Sequence, residues 1–156
     1  MNLMKTLPAA LLLAVLAGCS SGPQSSERRQ IPVVYEHTFE FMWEEVQAEL
    51  EKGWYLEEAQ KEKKILISRW QEQLSPMGHK GHRHRIKVFI EGRDGEGYTV
   101  DAVQESELNT NDRNPLSSTD AEWSGTASDG ALADRFLIAL ARRMYPRMEW
   151  KREMIR

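Results

Sequence analysis

The sequence predicts an α+β fold, a single two-layer sandwich in which two helices pack on an antiparallel sheet of four to five strands, in the order (β)-α-β-β-β-β-α. Three observations carry that expectation. Two stretches repeat their apolar residues at helical spacing, one near residue 40 and one near residue 136. Between them lie four segments in which apolar residues alternate, and the connections within each consecutive pair are short and polar or glycine-rich.

Val33, Val34 and Tyr35 can form a short first strand. Thr38 is a candidate N-cap, and Glu40 sits in the first turn where a negative charge suits the helix dipole. Phe39, Met42, Trp43, Val46 and Leu50 then recur on one face, with Glu44, Glu45, Gln47, Glu49 and Glu51 on the others. Gly53 is placed to end this helix as a C′ residue. Strands are expected at Trp54 to Ala59, Lys64 to Trp70, Arg83 to Glu91 and Tyr98 to Gln104. Lys61-Glu62-Lys63 and the run from Gly92 to Gly97 read as hairpin connections, and a meander is the simplest topology.

Glu105 to Asp120 combines acidic and turn-forming residues and reads as a surface loop. Ser128 is the expected cap of a second helix with the stripe Leu132, Phe136, Leu140 and Met144, and Arg142 and Arg143 lie near its negative end. Pro146 obstructs continuation, leaving Arg147 to Arg156 as a loosely attached tail. The domain is thus expected at 32–146, with a tail at 147–156.

The length of 156 residues allows one compact domain, and 40% apolar residues with five Trp can fill one core. A formal charge of −3 falls by one, to −4, if residues 1–18 and their only charged side chain, Lys5, are removed. Without a basic excess, no nucleic-acid partner is expected. The single cysteine has no partner within the chain, so a disulfide framework is excluded.

The N-terminus explains that cysteine. One positive charge precedes an apolar run of eleven residues, Leu7 to Ala17, which is the layout of a secretory signal and too short to span a bilayer at about 20 residues. The segment Leu16-Ala17-Gly18-Cys19 resembles the lipobox of bacterial lipoproteins. That resemblance implies cleavage between Gly18 and Cys19, diacylglycerol on the Cys19 thiol and acylation of the new amine. Residues 1–18 are then a signal peptide, and 19–31, rich in Ser, Gly and Pro near its start, a lipidated tether. The partner implied is a membrane, reached through acyl chains that hold by about 0.8 kcal/mol per buried CH₂. Ser20 after the cysteine implies, by the enterobacterial pattern, an outer-membrane location facing the periplasm.

Phe39-Glu40-Phe41-Met42-Trp43, Glu51-Lys52-Gly53-Trp54 and Lys64-Ile65-Leu66-Ile67-Ser68-Arg69-Trp70 together resemble the repeated domain of the BamC-like outer-membrane lipoproteins, in which a helix ending in Gly leads into paired strands. The resemblance implies a helix-grip-like domain that binds other envelope proteins and catalyses nothing. That family carries two such domains where this chain has room for one.

Three residue groups invite other chemistry. His79, His82 and His84 could present imidazoles to a metal from one loop, but Lys80, Arg83 and Arg85 interleave them and raise the cost of bringing in a cation. The same basic stretch could instead meet anionic lipid or an acidic partner. Glu105, Glu107, Asp112 and Asp120 suggest calcium without the spacing of an EF-hand loop. Ser124 before Gly125 lacks the first glycine of a nucleophile elbow, and Gly92, Gly95 and Gly97 lack phosphate-loop spacing, so no catalytic residue and no cofactor can be named. Trp123 and Trp150 fall in polar surroundings and are candidates for exposure, hence for contact with a partner, whereas Trp43, Trp54 and Trp70 fit core or sheet positions.

The expected function is a membrane-anchored, non-enzymatic interaction or assembly module of the cell envelope. Two alternatives stay open: a small-ligand module with an apolar cavity beneath its helices, and a metal-dependent hydrolase using the histidine stretch.

Overall fold

The first helix, α1 (Phe39–Gly53), starts where two elements supply acceptors for its unpaired amides. Thr38 Oγ1 accepts from Phe41 N, and Asp94, far along the chain, accepts from Phe39 N at 2.9 Å. Met42, Val46 and Leu50 are fully buried along one stripe, with Trp43 beside them. Gly53 turns out to be the last helical residue, and the left-handed position falls two residues later, on Tyr55 with φ 55°. The intervening Trp54 is drawn inward and packs edge-to-face on Phe136.

The computed structural model describes residues 26–75 and 78–155, so the expected signal peptide, Cys19 and the tether up to residue 25 lie outside the described residues. Seven strands form one antiparallel sheet: β1 (Arg29–Gln30), β2 (Leu56–Gln60), β3 (Ile65–Ser68), β4 (Gln71–Gln73), β5 (His82–Arg93), β6 (Gly97–Asn109) and β7 (Trp123–Thr126). The order across the sheet is β1-β6-β5-β3-β2, with β4 also pairing β5 and β7 also pairing β6. With α1 and α2 (Ala131–Met144) this is the expected α+β fold, with a sheet larger than four to five strands.

Three differences explain the larger sheet. The expected strand Lys64 to Trp70 is β3 alone, and a further strand, β4, follows it at Gln71, after the pairing shifts by one residue between Ile67↔Lys87 and Gln71↔His84. At that bulge Ser68, itself fully buried, accepts from Ile86 N at 2.9 Å through its hydroxyl. The expected loop Glu105 to Asp120 begins only after Asn109, since β6 continues and pairs Glu105 with Arg85 and Glu107 with Arg83. β7 then returns along the far end of β6. Finally, Val33 to Tyr35 contributes one bridge, Tyr35↔Tyr98, while the strand proper lies earlier, at Arg29 and Gln30 in the expected tether.

α2 begins later than a Ser128 cap would place it. Gly130 occupies the cap at φ 71°, Asp129 Oδ1 accepts from Ala131 N, and Gln104 Oε1 reaches from β6 to accept from Leu132 N at 2.8 Å. Both ends of the described residues are tied in beyond the expected limits of 32–146. Ile31 is 2% exposed and Trp150 is 4% exposed, so the loosely attached tail is corrected: Trp150 packs against Tyr145 and donates to its carbonyl. Asp134, buried in the first turn of α2, accepts from Arg152 at 2.8 Å and lies 3.9 Å from Arg29, joining tail and N-terminal arm.

Candidate interaction surface

Side chains alternate across a strand, so β5 and β6 each present two faces. Ile86, Val88 and Ile90 from β5, with Val100 and Ala102 from β6, enter the core under both helices. Arg83, Arg85, Lys87 and Phe89 then project to the opposite face, facing Glu107, Glu105, Val103 and Asp101 across the ladder. β3 adds Ile65 and Ile67, paired with Phe89 and Lys87. Both helices share the core cluster, which leaves this second face outside the two-layer packing.

The uncovered face has two halves. At one end, Ile65, Phe89 and Val103 are half-buried and Ile67 is buried, although no helix lies over them. The cover comes from long cationic side chains lying flat: the Arg28 guanidinium stacks 4.1 Å from the Phe89 ring centroid, and Lys87 Nζ sits 5.5 Å from it. Asp101 beside them is 5% exposed and accepts from Gln30 and Arg28. Burial, then the Glu91 charge, push its carboxyl above the ordinary value, while Gln30 and Arg28 pull the other way.

At the other end the Arg83 guanidinium is stacked between two indoles, 4.5 Å from Trp70 and 4.6 Å from Trp123, and Arg85 stacks on Trp70 at 4.4 Å. Each arginine also meets its cross-strand carboxylate, Arg83 to Glu107 at 2.6 Å and Arg85 to Glu105 at 2.5 Å, and Glu72 approaches Arg83 at 3.4 Å. Trp123 is therefore half-buried in a ladder of alternating aromatic and charged groups. Such a ladder holds in place side chains that an isolated strand would leave free to change rotamer.

The expected basic loop is thus corrected. His82 to Arg85 belong to β5, and Arg83 and Arg85 are neutralised where the loop reading left them free. Lys80 lies 3.5 Å from Asp112. The histidines divide: His79 is exposed ahead of β5, while His82 and His84 sit on the helix side with ring centroids 4.8 Å apart. His84 Nδ1 is 3.1 Å from Ser106 Oγ, and burial, followed by the His82 charge, holds this imidazole below its ordinary value, against an opposing pull from Asp129. Among the described residues no three His, Cys, Asp or Glu side chains are grouped to hold a metal. The calcium candidates also part company, since Glu105 and Glu107 face arginines, Asp112 faces Lys80, and Asp120 accepts from Asn114.

The space between the helices and the sheet, where a ligand cavity was the alternative, is filled by Met42, Val46, Leu50, Phe136, Leu137 and Leu140, each at most 1% exposed. An open groove of about 730 Å³ lies instead at the start of α1, against the hairpin turn Asp94 to Gly97. Among the described residues no helix is long and apolar enough to cross a membrane.

Sequence reasoning missed Trp70, Glu72, Glu105 and Glu107 as members of the surface. A signal for two of them was present: extending the hairpin register outward from Gly92↔Tyr98 sets Arg85 against Glu105 and Arg83 against Glu107. No protein-family model matches the chain, and no curated protein matches it. The functional reading therefore rests on these residues.

Proposed function

We propose that this protein is a bacterial envelope lipoprotein, held to the membrane by lipid on Cys19, that works as a non-catalytic interaction or assembly module through the uncovered face of its sheet. The observation that carries the docking role is the pairing of half-buried Ile65, Phe89 and Val103 with the Trp70–Arg83–Trp123 stack on a face that neither helix covers. Aromatic and arginine anchors set in a rim of charge are the residues that dominate the energy of protein interfaces. The anchoring half rests on Leu16-Ala17-Gly18-Cys19 and the apolar run before it. An outer-membrane, periplasm-facing position follows from Ser20 in the same pattern, and the partner is an envelope protein.

Two measurements in the native host test this reading. The intact mass of membrane-extracted protein should correspond to a chain that begins at acylated Cys19. A photo-crosslinking amino acid at Val103 should capture one envelope protein, and the same probe at exposed Glu44 on α1 should not. An unacylated soluble chain would overturn the anchor, and equal capture from both positions would overturn the surface.

A further inference from the structure

Basic charge in this chain concentrates where the sequence reading did not look. From Arg135 to Ile155 there are six cations, Arg135, Arg142, Arg143, Arg147, Lys151 and Arg152, against Glu149 and Glu153, in a chain whose total is −3. Arg143 and Arg152 are taken up by Glu45 and Asp134. Among the described residues Arg135, Arg142 and Arg147 form no ion pair, and Lys151 touches only Glu149, at 4.0 Å. Arg83 and Arg85 on the sheet face differ in this respect, since Glu107 and Glu105 lie directly opposite them.

Apolar side chains accompany the charge. Met148 is 52% exposed and Met154 40% exposed, and Met148 joins Arg142, Pro146, Glu149, Trp150 and Lys151 around an open hollow of about 510 Å³. Buried Trp150 holds this segment against α2, so the cations are presented by a packed element. The N-terminal arm is tied to the same carboxylate as the C-terminal segment: Arg29 Nε lies 3.9 Å from Asp134, and Arg152 binds it as well. Cys19 precedes Arg29 by ten residues. Ten residues of chain span at most about 35 Å, so lipid on Cys19 would keep the domain within reach of the membrane surface.

We infer that the C-terminal face, Arg135 to Ile155, docks on an anionic phospholipid surface, with Arg142, Arg147 and Lys151 meeting phosphate groups and Met148 the adjoining apolar zone. The choice of a lipid surface over another polyanion rests on the anchor proposed at Cys19, which would hold the domain, and this cationic face with it, close to a membrane. The attraction is electrostatic, so it falls as salt rises. Each cation removed should weaken binding about fivefold, the equivalent of about 1 kcal/mol.

The test uses a chain starting at Ser20, which keeps every residue of the fold described and carries no lipid, so its result is independent of acylation. It should co-sediment with vesicles of phosphatidylcholine containing phosphatidylglycerol and not with phosphatidylcholine alone. Replacing Arg147→Ala and Lys151→Ala together should lower the partition coefficient about 25-fold. The matched pair Lys63→Ala and Arg113→Ala, exposed elsewhere, should leave it unchanged, and thermal melts should show both doubles folded. No sedimentation, equal sedimentation with neutral vesicles, or equal loss in both doubles overturns the inference. Retention on a polyglutamate resin without vesicle binding also overturns it, in favour of an acidic protein partner. The anchor itself is judged separately, by the mass beginning at Cys19.

Discussion

Ser68 is a small polar residue with a large structural duty. Its hydroxyl replaces a backbone acceptor for Ile86 N at the bulge between β3 and β4, with both groups buried. Ser68→Ala leaves that amide without a partner, and should lower stability by about 1–3 kcal/mol in urea unfolding. Ser68→Thr, which keeps the hydroxyl, should lose less. His84 acts through its protonation. Its folded value lies below the ordinary 6.5, chiefly through burial, so the unfolded chain takes up this proton first as the pH falls. The stabilising contribution is therefore complete above the unfolded value and is lost as the pH falls through the folded one. In His84→Gln, urea midpoints measured from neutral to mildly acidic pH should show a shallower decline than in the parent chain. An unchanged slope would assign the acid sensitivity to other groups.

At the scale of elements, legibility followed the source of the periodicity. α1 could be read closely, because its apolar stripe and its Thr38 cap are both local signals. β6 beyond Gln104 could not, because its alternation is carried by Glu105 and Glu107, which are strand-like only once Arg85 and Arg83 are known to lie opposite. β7 is four residues without apolar alternation, and its place comes from β6. The start of α2 shifted because Gln104, from another element, supplies an acceptor that no local pattern reveals. The β5–β6 turn gives a sharper prediction. Gly92 has φ 126°, and a Cβ there would stand 2.2 Å from the Gly97 carbonyl oxygen. Gly92→Ala must open the hairpin, so it should cost about 3 kcal/mol or more, visible as a lowered melting temperature. A loss of only a few tenths would show that the turn rearranges freely.

For the whole molecule, the two ends of the described residues converge on one carboxylate. Asp134 is 5% exposed, and its contacts to Arg152 and Arg29 bind tail and arm to the same turn of α2. Asp134→Ala should raise amide hydrogen exchange at residues 29–31 and 150–155 together, while the centre of the β5–β6 hairpin keeps its protection. A response at one end alone would show that the ends are held independently. Neither this convergence nor the helix-free sheet face was legible in the sequence, because each joins residues more than a hundred positions apart or on strands whose extent was unknown. The resemblance to a lipobox, by contrast, rests on four contiguous residues, Leu16 to Cys19, so stating it as an expectation needs no knowledge of the fold.

The brevity of β1 matters for how such a domain bears load. Its ladder to β6 is two residues long, Arg29↔Ala102 and Gln30↔Asp101, whereas β5 and β6 share twelve pairs. If the anchor proposed at Cys19 holds, tension applied through the N-terminal arm would meet the short ladder first. Peeling the chain from residue 26 up to α1 would pay out roughly 40 Å of leash at about 3.4 Å per residue, with the β5–β6 hairpin still zipped. On the proposed anchor the domain would be mounted on an extensible joint, able to follow a partner away from the bilayer before its load-carrying sheet is strained.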